Sequence, residues 1–242
     1  MRTPRLFHPQ RLHERTAVTL DAGAARYLTK VLRLEPGAPL VLFDGQGGEF
    51  EAILSELRKG TVVVAVNRHR TREAESPLQT TLAQGISRGE RMDYTLRKAT
   101  ELGVTRIQPL FTEYCQVQLK GERLDKRLRH WEGVVRSACE QSGRNRLPEL
   151  LEPLPLCDLV ARRPDETHLI LDPRSENHLQ GIDLNGSRVT LIVGPEGGLS
   201  PAEIDLLTRH GCIGIRLGPR ILRTETAALA ALAAMQCLWG DF

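Results

Sequence analysis

The sequence predicts an α/β protein in two parts, a small β-barrel followed by a mainly parallel sheet covered with helices. Up to about residue 70 the apolar residues fall in short β-branched or alternating runs. From Leu78 onward strand-like and helix-like segments take turns, the pattern of a parallel sheet with helical crossovers. Between the two lies "TREAESP" (Thr71 to Pro77), a charged stretch closed by proline that reads as a linker. The expected domains are therefore 1–72 and 73–242.

In the first part, "PLVLFDG" and "GEFEAILSEL" flank "DGQGG" and read as a hairpin. "GTVVVAVNRHR" supplies a further strand, and one short helix is expected around Ala24 to Leu34. In the second part "TTLAQGIS" reads as a strand, followed by the helix "GERMDYTLRKATELG" closed at Gly103. "RIQPLF" is a strand and "RLDKRLRHWEGVVRSACEQSG" a long helix. "THLILD" and "RVTLIVG" are strands, "SPAEIDLLTRHG" a helix, "IGIRLG" a strand, and an alanine-rich helix ends the chain.

Composition narrows the function classes. Hydrophobic residues at 40% and charged residues at 26% are ordinary for a soluble globular protein, and 242 residues can bury a sizeable core. No apolar run is long enough to span a bilayer, and "MRTPRLFHPQ" lacks the apolar stretch of a signal peptide, so a cytoplasmic protein with no membrane partner is expected. The five cysteines are scattered and never spaced Cys-x-x-Cys, and the seven histidines do not pair at ligand spacing. No disulfide framework and no metal are expected. A net charge of +3 is mild, but its placement is uneven, with Arg2, Arg5, Arg11 and Arg15 crowded at the N-terminus. The basic residues from Lys120 to Arg129 are interleaved with acids, and a solvated helix face explains them as well as RNA does.

Two loops carry the chemistry. In "LIVGPEGGLSPAEI" an apolar strand ends in Gly194-Pro195-Glu196-Gly197-Gly198 and a helix starts behind it. Ser200 is the expected N-cap, Pro201 the first helical residue and Glu203 the partner in a capping box. Ligands of open α/β sheets bind outside the carboxyl ends of the strands, where this loop lies. The spacing is neither Gly-x-Gly-x-x-Gly nor that of a P-loop, which argues against dinucleotide and nucleotide-triphosphate sites. The second loop, "LGPRILRTETAALAALAA", again follows a strand, with Thr224 or Thr226 the expected N-cap of the last helix. Neighbouring loops of this kind form one cleft whose backbone groups suit an adenine ring, and Arg220 and Arg223 at its rim suit a phosphate-bearing partner.

These two motifs resemble the C-terminal motifs of the SPOUT-superfamily methyltransferases, and more narrowly the bacterial small-subunit ribosomal RNA uridine N3-methyltransferases. "RMDYTLRKATELGVTRIQPL" and "ACEQSGRNRLPE" resemble that family's other motifs, and "YLTKVLRLEPG" with the opening "RLF" its N-terminal RNA-binding barrel. The likeness covers nearly the whole chain in the right order. Tyr27 and Tyr114 depart from the family pattern, where His and Arg are more frequent; neither falls in the two loops.

The resemblance implies a PUA-like barrel over 1–72 and a knotted methyltransferase domain over 73–242, its C-terminal segment threaded into a trefoil knot. It implies S-adenosylmethionine as cofactor, held by Leu171, Gly194, Pro195, Glu196, Gly197, Gly198, Leu217, Gly218, Ile221, Leu222, Thr224, Thr226 and Ala227. The implied substrate is 16S ribosomal RNA of the small subunit, methylated at N3 of the uridine numbered 1498 by convention, and the implied assembly is a homodimer. Arg2, Arg5, Arg33, Arg88, Arg91, Lys98, Arg144 and Arg220 are the candidate RNA contacts. Arg223, Glu196 and Glu225 are the catalytic candidates: the arginine to stabilise charge on a uracil carbonyl, either acid to accept a proton. An Arg223–Glu225 ion pair at the helix start is the structural alternative. The competing readings are a 2′-O-ribose methyltransferase of the same superfamily and a non-catalytic RNA-binding protein.

Overall fold

The computed structural model describes residues 3–58, 61–159, 165–184 and 186–242; Arg2 lies outside them. The chain forms two compact units, Met1–Glu75 with Cys139–Leu147, and Ser76–Ala138 with Pro148–Phe242.

In the first unit β1 (Arg5–Phe7), β2 (Thr16–Thr19), β3 (Pro39–Phe43), β4 (Glu49–Arg58) and β5 (Thr61–Arg70) form one sheet. Its order is β1-β3-β4-β5-β2, with β1 parallel to β3 and the other pairs antiparallel. Alternation decides the faces: Phe50, Ala52 and Leu54 on β4 and Val62, Val64 and Val66 on β5 turn inward onto Leu6, Leu28, Leu40 and Leu42. The expected closed barrel is not found among the described residues. Edge strands β1 and β2 are three and four residues long and do not pair with each other. Alternation predicts which side of a strand is buried, but not whether the two edges meet.

The helix expected through Leu34 is also shorter. α1 (Ala22–Arg26) starts on an Asp21 cap, and Tyr27–Val31 continue as a single π-helical turn in which the Leu32 N–H reaches the Tyr27 carbonyl. That turn keeps Leu28 fully buried, and Arg33 follows with a left-handed φ of 53°.

Cys139–Leu147 fold back onto this unit through charged side chains. Arg144, only 3% exposed, makes paired bonds to Glu75 at 3.2 and 2.5 Å. Arg5 pairs with Glu49, donates to Asn145 Oδ1 at 2.7 Å and sits 5.3 Å from the Phe43 ring centre. Asn145 donates in turn to the Arg72 carbonyl at 2.6 Å. Arg5 and Arg144, expected on RNA, are instead internal. Their acidic partners come from distant parts of the chain, so local charge counting could not reveal them.

Among the described residues of the second unit seven strands make a wholly parallel sheet. They are β6 (Gln79–Gly85), β7 (Arg106–Phe111), β8 (Glu149–Leu150), β9 (Leu154–Pro155), β10 (Thr167–Leu171), β11 (Arg188–Val193) and β12 (Ile213–Ile215). The order is β12-β10-β11-β6-β7-β8, with β9 also on β7. The helices are α2 (Glu90–Glu101), α3 (Glu122–Ser142), α4 (Pro201–Arg209) and α5 (Thr224–Trp239). α5 buries Ala228, Ala231, Leu232 and Met235 and packs against α2 and β11. β6 has β7 on one side and β11 on the other, so strand order switches there. The carboxyl ends of β6 and β11 border the crevice where α/β folds place their ligands.

Among the described residues no helix is long and apolar enough to cross a membrane, and no three His, Cys, Asp or Glu side chains gather to hold a metal.

Candidate functional site

At the carboxyl ends of β10, β11 and β12 lies a cavity of about 430 Å³, within the range of small-molecule sites (~300–1,000 Å³). Leu171 ends β10, Val193 ends β11 and Ile215 ends β12, and together with Leu217, Ile221, Leu222 and Ala227 they give it apolar walls. Gly194, Pro195, Glu196, Gly197 and Gly198 curve around one side, and Gly218 and Thr224 complete the other. Thr226 faces a neighbouring cavity instead.

The glycine loop is held by contacts that no local pattern announces. The Thr224 hydroxyl donates to the Gly194 carbonyl at 2.6 Å. Gln84, fully buried at the end of β6, donates to the Gly194 carbonyl at 3.3 Å, and at 3.0 Å to both the Gly85 carbonyl and the Thr224 hydroxyl. Two glycines let the backbones meet: a Cβ on Gly85 would lie 2.5 Å from Pro195 N, and one on Gly194 would lie 2.6 Å from Gly198 C. Ser200 and Glu203 form the expected capping box, and Glu203 also accepts the Glu113 N–H at 2.8 Å. Thr224 does not cap α5; Arg223 holds that position without a side-chain bond. Thr224 lies just inside the helix, where its hydroxyl reaches Gly194.

The three catalytic candidates differ in their surroundings. Glu196 accepts the Arg88 N–H at 2.9 Å and pairs with Arg91 at 3.2 Å. Burial would raise its pKa, but hydrogen bonds from Arg88, its own backbone and Arg91, with the Arg91 charge, outweigh that and hold the carboxyl below its ordinary value of 4.5. Arg223 is exposed and lines the cavity. The alternative ion pair with Glu225 is not formed, and Glu225 Oε2 is buried without a hydrogen-bond partner.

Of the RNA candidates, Arg33, Arg88, Arg91 and Arg220 are exposed, and Arg91 and Arg220 reach the cavity rim. Lys98 is half-buried and bonded to Glu101 at 2.7 and 2.8 Å. Tyr114, one of the two departures, lies beside the loop: a Cβ on Gly197 would be 2.8 Å from the Tyr114 Cβ. Sequence reading missed Gln84, Gly85, Asp172, Pro173 and Arg216. A glutamine interrupting the apolar strand "TTLAQG" just before a glycine was the signal for the first two.

Comparison with known proteins places the chain in company consistent with this geometry. Residues 74–236 match the RNA methyltransferase domain and residues 20–67 the RNA methyltransferase PUA domain. Ribosomal RNA small subunit methyltransferase E of Buchnera aphidicola subsp. Schizaphis graminum is 36% identical over 99% of this chain and 98% of its own. A Legionella pneumophila methyltransferase solved with bound S-adenosylmethionine superposes with a TM-score of 0.97 at 40% identity, covering all of both chains. The methyltransferase E of Neisseria gonorrhoeae, also bound to S-adenosylmethionine, gives 0.93 at 42% identity over the full length of each.

Proposed function

Because the chain belongs to the ribosomal RNA small subunit methyltransferase E family, we propose that it methylates N3 of one uridine in 16S ribosomal RNA. It is an RNA methyltransferase that uses S-adenosylmethionine. Family membership supports the uridine numbered 1498 by convention as the specific target. The observation that carries the reading is the cavity at the carboxyl ends of β10, β11 and β12, closed by a glycine loop that Gln84 and Thr224 fix in place.

The residues present suit the cofactor. Backbone amides and carbonyls from Gly194 to Gly198 and Leu217 to Leu222 suit the edges of an adenine, and the apolar walls its faces. Leu171, Thr224 and Ala227 complete the enclosure. S-adenosylmethionine supplies an electrophilic methyl group. The protein's own work is to place N3 in line with it and to remove the imide proton, because protonated N3 has no free lone pair in the ring plane. Glu196 is a poor base, since its hydrogen bonds stabilise the carboxylate; it positions Arg91. Glu225, with an unpaired buried oxygen, is the stronger candidate for the proton. Arg223 offers positive charge to a uracil carbonyl as the proton leaves.

Within this reading 1–72 is the RNA-binding domain and 73–242 the catalytic one. Arg33, Arg88, Arg91 and Arg220 remain open to RNA phosphates. Family membership also supports a trefoil knot around the cofactor, a homodimer and a cytoplasmic site of action. Calorimetric titration of S-adenosylmethionine into wild type and Gly194→Ala tests the cavity. Wild type is expected to bind, and the variant to bind about 10- to 100-fold more weakly, because the added Cβ must displace backbone. Equal affinity, with the variant folded by circular dichroism, removes the cofactor from this loop.

A further inference from the structure

Next to the cofactor cavity lies a second one of about 710 Å³. Glu90, Arg91, Asp93, Tyr94 and Arg97 of α2 line it, with Glu225 and Thr226 of α5. Arg91 and Glu225 line both cavities, so the two meet at these side chains. The first turns of two long helices therefore face one space, and their partial positive charge favours an electron-rich group there.

The wall chemistry is specific. Tyr94 is 46% exposed, an aromatic ring open to a polar cavity. Asp93 Oδ2 is engaged by His130 at 2.7 Å, and Glu196 outside the cavity holds Arg91. Asp93 Oδ1 and Glu225 Oε2 are both buried and lack a donor, and of these two residues only Glu225 also lines the cofactor cavity. Arg91, Arg97 and Thr226 add donors to the same cavity wall. A wall that carries both donors and a free carboxylate oxygen has the groups to meet a uracil edge, which presents carbonyl, N–H and carbonyl. A cytosine edge would set its N3 lone pair against the carboxylate.

We propose that this second cavity seats the target uracil, with the Tyr94 ring against its face and Glu225 Oε2 receiving the N3–H. The inference rests on the methyltransferase reading and specifies its substrate site. In the step, the N3–H proton passes to Glu225, and the electron pair left on N3 forms the new N–CH3 bond. The methyl–sulfur bond breaks with its pair on sulfur, leaving a neutral thioether, and Glu225 returns its proton to solvent. The two helix N-termini and the guanidinium groups of Arg91, Arg97 and Arg223 face the developing negative charge, while Glu90 and Asp93 oppose it from α2.

The test uses the full chain without methyl donor. Tyr94→Trp is titrated with uridine 5′-monophosphate and with cytidine 5′-monophosphate, and emission is read as the difference from wild type, which shares Trp131 and Trp239. Quenching at least ~10-fold more sensitive to the uridine nucleotide is expected, because a site built around an N–H excludes its analogue lacking one. Adding Glu225→Gln, whose amide donates as well as accepts, is expected to bring the two nucleotides close to parity. With unmodified small ribosomal subunits as substrate, Tyr94→Ala is expected to lose about 10- to 100-fold in kcat/KM, the worth of one stacked base, and Tyr94→Phe to retain it. S-adenosylmethionine affinity should be unchanged in Tyr94→Ala, since Tyr94 does not line the cofactor cavity.

Equal quenching by both nucleotides, or full kcat/KM in Tyr94→Ala, overturns the assignment. So does a kcat/KM loss accompanied by a lower sedimentation mass, which would make Tyr94 a subunit contact. If wild type itself neither binds S-adenosylmethionine nor methylates the subunits, the underlying methyltransferase reading fails instead.

Discussion

Gln84 stands at the junction of three chain segments. Its amide ties the end of β6 to the glycine loop after β11 and to the first residue of α5. Gln84→Ala would leave buried carbonyls short of a donor, at a cost of roughly 1–3 kcal/mol. The expected result is S-adenosylmethionine affinity weakened by about 5- to 100-fold with the fold retained, read by calorimetry. Glu196 gives a pH dependence with a definite sign. Its folded-state carboxyl sits below 4.5, so its contribution to stability is present above that value and is lost as pH falls through the depressed folded value. The thermal midpoint of wild type should therefore drop more steeply than that of Glu196→Gln below pH 4.5, and identical slopes would remove the Arg88–Arg91 clamp from the account. At this scale local chemistry was readable where the partners are close in sequence. Ser200 and Glu203 are three residues apart, and their capping box follows directly from the letters. Thr224 was misread as a cap because its real partner, Gly194, lies 30 residues away.

Among the elements, the segment Cys139–Leu147 is the least legible. "GRNR" reads as a basic loop ready for RNA, yet Arg144 is buried on Glu75 and Asn145 joins Arg5 to Arg72. Removing Arg144 leaves Glu75, whose side chain is 18% exposed, without its bidentate partner. Arg144→Ala should lower unfolding free energy by about 3 kcal/mol, seen as a lower urea midpoint. A loss of RNA affinity without loss of stability would return Arg144 to the RNA surface. The same folding-back buries Cys139, whose thiol is pushed up to about 12 chiefly by burial, so it is a packing residue and not a nucleophile. The helices and longer strands of the second unit, by contrast, were legible, while the two-residue strands β8 and β9 were not. Buried parallel strands are continuous apolar runs separated by amphipathic helices, and both periods survive in a single sequence. The first unit gave up β3, β4 and β5 but neither the short edge strands β1 and β2 nor the open edge, and the π-turn at Tyr27–Val31 has no periodic trace.

For the molecule as a whole, the decisive arrangement is the parallel sheet whose strand order switches at β6 and whose carboxyl ends carry both loops. The loops were visible as sequence motifs. Their convergence on one cleft was expected, whereas the second cavity reached through Arg91 and Glu225 is a product of strand order, which no local window encodes. The cavity fits the methyl donor and the neighbouring wall a uracil edge, so the central claim concerns the atom that receives the methyl group. The direct measurement is nucleoside mass spectrometry on small-subunit RNA after incubation with the protein and isotopically labelled S-adenosylmethionine. The expected result is label in 3-methyluridine at a single position. Label in a 2′-O-methylated ribose, in another base, or in no nucleoside at all would contradict it.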